Sequence, residues 1–159
     1  MTALTHDRLL ELLSYDPETG VFTHKRKRGY RGGEIAGTYG KERYWMIGVM
    51  GKVYGAGRLA WFYVHGVWPT NEIDHKNQVK TDNWIENLRD VTGQINKQNQ
   101  HRPHKDNKLG IMGVSKNSNR YTAQIGRVKL GYFDTAEEAH QVFVAAKKKL
   151  HPEAFISVI

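Results

Sequence analysis

The chain contains no cysteine, which excludes disulfides and any zinc–thiolate site. That is the composition expected of a reducing cytoplasm. No apolar run approaches the roughly 18 residues needed to span a bilayer, so no membrane span is expected. The opening MTALTHDRLL lacks a basic stretch followed by an apolar one, so secretion is not expected. No internal repeat or low-complexity tract is visible. Hydrophobic residues make up only 39% of the 159 positions, enough for small cores but not for one large one. Acidic side chains are also scarce, 16 against 24 lysines and arginines.

That imbalance gives a net charge of +8, and it is unevenly spread. Residues 1–100 carry 14 basic and 11 acidic side chains, while residues 101–159 carry 10 and 5. The shorter C-terminal part is the more basic. Such charge suits a polyanion, because binding releases condensed counterions. Nucleic acid is the expected partner on charge, and the resemblances below narrow it to double-stranded DNA.

Taken in order, THDRLLELL reads as a short amphipathic helix capped by Thr5. Tyr15 to Gly20 (YDPETG) is a turn, followed by a short strand at 21–23. Lys25, Arg26, Lys27 and Arg28 then form a basic run, read as a phosphate-contacting arm. Residues 35–53 alternate as a hairpin. Residues 58–65 (RLAWFYVH) are apolar at helical spacing and end at Gly66, a C-cap signal. Short strands are expected at 72–74 and within 85–91, with a polar loop between them. Thr92 is placed to cap a helix over 93–99. Residues 98–108 (QNQHRPHKDNK) are nearly free of apolar side chains and read as a linker. Three strands follow, at 111–116, 120–125 and 128–133. A helix then opens at Thr135 and Glu138, a capping box. Lys147, Lys148 and Lys149 at its end read as solvated charges suited to the helix dipole.

The stretch from Asn71 to Gln100 carries the chemistry. Phosphodiester hydrolysis needs an activated water and a stabiliser for charge on the phosphate, which a divalent cation can supply. Mg2+ or Mn2+ takes oxygen ligands, few of them from protein. Asp74 offers a carboxylate, and Asn96 offers an amide oxygen from the expected helix. His75, next to Asp74 on an extended backbone, points the other way and suits a general base. Asn87 in IENLRDVT can bond the backbone beside His75 and orient it. Asp82 and Asn83 read as turn residues. His65, His101, His104, His140 and His151 have no partner pattern.

The run IDHKN, DNWIENLRDVT and INKQN closely resembles the phage-type HNH homing endonucleases with a ββα-metal site. The blocks LLSYDPETGVF and RLAWFYVHGVWP resemble the same family, so the likeness covers about residues 5–100. It implies Asp74 and Asn96 as ligands of one divalent ion, His75 as base and Asn87 as its orienter. Arg58, matching the family's arginine, is implied as a contact of the scissile phosphate. The family usually has a histidine just before the RLAW-like block, where this chain has Gly57.

Residues 113–146 (GVSKNSNRYTAQIGRVKLGYFDTAEEAHQVFVAA) resemble the AP2 DNA-binding domain, a three-stranded sheet backed by one helix. Strand alternation assigns Tyr121, Ala123, Ile125, Val128, Leu130 and Phe133 to the helix side. It sends Ser115, Asn117, Thr122, Gln124, Arg127 and Lys129 outward. Gln124 and Arg127 suit base edges; Lys116 and Lys129 suit phosphate.

The expected fold class is α+β. A ββα-metal nuclease domain with an N-terminal helix and hairpin spans 1–100, a linker 101–108, and an AP2-like module 109–159. The expected function is a metal-dependent, homing-like DNA endonuclease. A monomer would nick one strand, and a double-strand break would need a dimer or sequential nicks. Two other readings stand beside it. One is a DNA-binding protein whose nuclease site is weakened, with Gly57 as the lesion. The other is a restriction, defence or packaging nuclease.

Overall fold

A computed structural model describes residues 3–25, 32–40, 43–99 and 103–150. Contacts divide the chain into two compact units, Met1–Thr92 and Gly93–Ile159.

The first unit opens with α1 (His6–Leu12), whose cap Thr5 accepts from the Arg8 N–H. Strand β1 (Leu13–Tyr15) follows without a break and pairs antiparallel with β2 (Phe22–His24). The turn between them is closed by Gly20 N–H donating to the Asp16 carbonyl at 2.8 Å. Next comes a three-stranded antiparallel sheet in sequence order: β3 (Thr38–Tyr39), β4 (Trp45–Val49) and β5 (Lys52–Gly55). Helix α2 (Ala56–His65) starts directly after β5. It ends at Gly66, whose left-handed backbone lets its N–H reach the Phe62 carbonyl. Then β6 (Glu72–His75) pairs antiparallel with β7 (Leu88–Val91), and a 3-10 turn at Ile85–Asn87 leads into β7.

One core joins these pieces. Leu9 and Leu13, Phe22, Ile47, and Leu59 and Phe62 are all buried within it. Trp68 stacks on both Phe62 and Tyr54. Fully burying one such apolar side chain contributes about 1.5–3 kcal/mol. Elements 50 residues apart in sequence are therefore held to one another by the strongest term available.

The second unit begins with α3 (Gly93–Gln98). Strands β8 (Val114–Asn117), β9 (Arg120–Ile125) and β10 (Val128–Phe133) form an antiparallel sheet with β9 in the middle. Helix α4 (Ala136–Leu150) packs its Ala139 and Phe143 with Val114 and Ala123 of the sheet. The Thr135 hydroxyl caps it by accepting from the Glu138 N–H.

Three expectations on this unit are corrected. Thr122 is only 5% exposed, because it lies on the central strand between Ser115 and Tyr132. Val128, expected beneath the helix, is 55% exposed at the strand's start, beside the turn at Gly126. Lys147 is 6% exposed rather than solvated. It falls four residues after Phe143, on the same helical face. Burial also pulls its ammonium below the ordinary lysine range. Among the described residues, no helix is long and apolar enough to cross a membrane.

Candidate active site

Strand alternation sets the site's two sides. Asp74 lies opposite Arg89 across the β6–β7 ladder, and His75 lies opposite Leu88. Directly opposed residues share a face, so Asp74 and His75 look in opposite directions. On one face, the Asp74 carboxylate accepts from Arg89 Nε at 2.8 Å and pairs with Arg89 Nη2 at 2.7 Å. On the other, His75 is 6% exposed. Burial pushes its pKa below the ordinary histidine value, so the ring stays neutral in conditions where an exposed histidine begins to charge.

The loop from Lys76 to Asn83 is folded around Asn87, which is 1% exposed. Asn87 Oδ1 accepts from the Asn77 N–H at 2.9 Å, and Nδ2 donates to Asn77 Oδ1 at 3.0 Å and to the Asp82 carbonyl at 2.7 Å. Its own carbonyl accepts from the Lys76 N–H at 2.8 Å. One amide thus ties both ends of the loop to the strand after it. The expectation that Asn87 bonds backbone near His75 has this geometric counterpart, two residues along at Asn77.

The entry to β6 is pinned separately. Asp90 accepts from the N–H groups of Thr70 and Asn71 at 2.7 and 2.8 Å. Arg58, in the first turn of α2, donates to the carbonyls of Asn71 at 2.8 Å and Pro69 at 3.2 Å. At least part of its donor capacity therefore braces the segment that leads into Asp74.

Two residues of this site were not anticipated. Arg89 was missed because only the strand register places it beside Asp74. Asn83, read as a turn residue, is 3% exposed, and its Oδ1 lies 3.1 Å from His75 Nε2. Gly57 adjoins the same pair: a Cβ there would sit 3.2 Å from Asn83 Oδ1 and from Ile73 Cγ2.

Residues 54–98 match the model of the HNH endonuclease family. The HNH segment holds Arg58, Asp74, His75, Asn83, Asn87 and Asn96. One solved structure, described as "DNA binding and cleavage by the HNH homing endonuclease I-HmuI", also matches. The identity is 29% and the TM-score 0.46, over 56% of this chain and 51% of that one. The chain thus matches about half the length of that protein. No curated protein matches.

Asn96 lies half-buried on α3, which groups with the second unit. Among the described residues, no three His, Cys, Asp or Glu side chains cluster as a metal cage. A hard divalent cation does not require one, since it takes one or two protein oxygens and completes its shell with water and phosphate. Asp74 and Asn96 are donors of that kind. Of the basic arm, Arg26, Lys27 and Arg28 lie outside the described residues, and Lys25 donates to the Leu10 carbonyl at 2.9 Å. In the second unit, Ser115, Asn117, Gln124, Arg127 and Lys129 are exposed. Lys116 is exposed too, but alternation puts it on the side of Val114 and Tyr121, away from Ser115 and Asn117.

Proposed function

We propose that the chain is a metal-dependent DNA endonuclease of the HNH type, homing-like in preferring a site, and acting in the cytoplasm of a cell or phage host. The observation that carries this reading is the Asp74–His75 pair on β6, within the segment that matches the HNH endonuclease model. The two side chains face opposite ways, so charge stabilisation and proton transfer are kept apart.

In this mechanism Asp74 and Asn96 would hold one divalent ion, Mg2+ or Mn2+. When bound, it stabilises negative charge on the scissile phosphate and its leaving oxygen. Arg89 holds one oxygen of the Asp74 carboxylate, Oδ2, with both its Nε and Nη2, leaving Oδ1 outside that pairing. Neutral His75 accepts the proton of the attacking water, and its depressed pKa keeps it ready to do so near neutral pH. Asn87 keeps the loop after His75 closed, and Arg58 braces the backbone before Asp74 while presenting cationic charge to DNA. The sheet of the second unit is proposed as an AP2-like DNA contact through Ser115, Asn117, Gln124, Arg127 and Lys129, with Lys116 at its edge. It adds affinity by raising the local concentration of the HNH site on DNA.

The test is nicking of supercoiled plasmid with Mg2+ or Mn2+. Wild-type protein is expected to nick, and His75→Ala to lose about 100-fold or more in rate. Wild-type protein that binds DNA but never nicks, with His75→Ala indistinguishable from it, would sink the proposal. It would leave the rival reading of a DNA-binding protein with a disabled nuclease site. The rival rests on Gly57, and Gly57→His then separates the two: a large gain in nicking supports a weakened enzyme.

A further inference from the structure

Asn83 has both ends of its amide committed. Nδ2 donates to the Thr81 carbonyl at 2.9 Å. A carbonyl oxygen can only accept, so this bond decides which amide atom is the nitrogen. Oδ1 is then the atom 3.1 Å from His75 Nε2. An amide oxygen also only accepts. The contact is a hydrogen bond only when Nε2 carries a proton, and a neutral imidazole protonated there has its lone pair on Nδ1.

We infer that Asn83 is a positioning residue for His75: it holds the ring as the Nε2–H tautomer and leaves Nδ1 as the atom that takes a proton from water. The inference deepens the reading of His75 as general base and rests on it.

Asn83 is itself fixed from outside its loop. The Tyr15 hydroxyl donates to the Asn83 carbonyl at 2.8 Å, and burial keeps that phenol protonated. The Ile85 N–H donates to the Pro17 carbonyl at 3.2 Å. Between these two bonds, Gly20 comes so close that a Cβ would lie 2.3 Å from the Asn83 carbonyl carbon and the Trp84 nitrogen. Its φ of +73° also favours glycine. The YDPETG turn is thus a clamp on Asn83. At Gly57, a side chain of any size would crowd Oδ1. A side chain added there needs Asn83 or Ile73 to give by a few tenths of an ångström.

The experiment reads His75 directly in the full-length protein. Long-range proton–nitrogen NMR at about pH 8, above the ordinary imidazole pKa of roughly 6.5, reports which ring nitrogen carries the proton. The His75 signal is assigned by its loss in His75→Gln. Wild type is expected to show Nε2–H alone. Asn83→Leu keeps the volume without the acceptor, and is expected to mix the tautomers and lower kcat about 10- to 100-fold with little change in KM. Asn83→Asp keeps an acceptor and is expected to retain the Nε2 proton. A wild-type ring protonated on Nδ1, or an Asn83→Leu variant with wild-type tautomer and kcat, overturns the inference. If wild type fails to nick, the endonuclease reading falls, while the wild-type spectrum still decides what Asn83 does to His75.

Discussion

Asn87 offers the sharpest test of how the loop is held. Asn87→Ala removes three side-chain hydrogen bonds, at 2.7, 2.9 and 3.0 Å, from a residue that is 1% exposed. Each is worth about 1 kcal/mol net, and the abandoned Asn77 and Asp82 groups sit near enough to the surface to find water, so the expected loss is about 2–3 kcal/mol. The assay is urea denaturation followed by tryptophan fluorescence in a chelator. All four tryptophans (Trp45, Trp61, Trp68, Trp84) lie in residues 1–92, so the signal reports the first unit alone. With a slope of about 1.5 kcal/mol per molar urea, the midpoint falls by about 1.3–2 M. Asn87→Asp is the stricter variant because it has the same shape. It aims an oxygen at the Asp82 carbonyl and at Asn77 Oδ1, the two acceptors that Nδ2 now serves. Near pH 7 it should destabilise at least as much as alanine. The new carboxyl has its pKa raised by burial and by those acceptors, so the deficit shrinks as pH falls and it protonates. An aspartate variant as stable as wild type at neutral pH, or an alanine variant costing under about 0.5 kcal/mol, would show that this amide does not hold the loop.

Three further outcomes are expected. Burial depresses the His75 pKa, so the unfolded chain binds a proton that the folded one resists. In metal-free protein, stability should be level above about pH 6.5 and fall below it, and His75→Gln should flatten that fall; parallel curves for the two proteins would refute it. Gly113 has φ +72°, and a Cβ there would overlap the Phe143 ring at 2.0 Å. Gly113→Ala should therefore cost the second unit about 2–4 kcal/mol, measured by the far-ultraviolet circular dichroism of its unfolding; a loss below about 1 kcal/mol would mean Phe143 is not held against this glycine. Arg127→Ala and Lys129→Ala should each lower the salt slope of DNA binding by about 0.9, while Thr122→Val, at a buried position, leaves it unchanged. Slopes unaffected by the two cation losses would remove this sheet from the DNA-binding surface.

Local chemistry was legible wherever local chemistry decides. Thr5 before HDRLL, Gly66 after AWFYVH and Thr135 before AEE are the caps the structure uses. Asp74 and His75 on one short strand were readable because period-two alternation needs no partner. The failures share a different cause. Asn83 beside Asp82 carries the ordinary signature of a turn, and what makes it more than that is the approach of Tyr15 and Gly20 from more than 60 residues away. Arg89 faces Asp74 only once the β6–β7 register is fixed. Thr122 was sent outward by alternation, but its side chain sits between those of Ser115 and Tyr132 on the flanking strands, which alternation along one strand does not show. Lys147 was grouped with its lysine neighbours, although helical spacing from Phe143 already placed it inward.

The same distinction bears on where the site ends. The match to the HNH endonuclease model covers residues 54–98 and contains every side chain proposed to act on the scissile phosphate, the metal or the attacking water. It does not contain Tyr15, Pro17 or Gly20, which hold Asn83 and the start of the 3-10 turn before Asn87. Nor does it contain Leu9, Leu13 and Phe22, buried in the same core as Leu59 and Phe62 of α2. Removing those three side chains from the core would forfeit about 4.5–9 kcal/mol of burial, comparable to the whole stability of a small domain. The residues proposed to react therefore form a motif in sequence, but the geometry around His75 belongs to the first unit as a whole. In the proposed mechanism an N-terminal turn that touches no reacting atom is part of the machinery, because it fixes the Asn83 amide that faces His75.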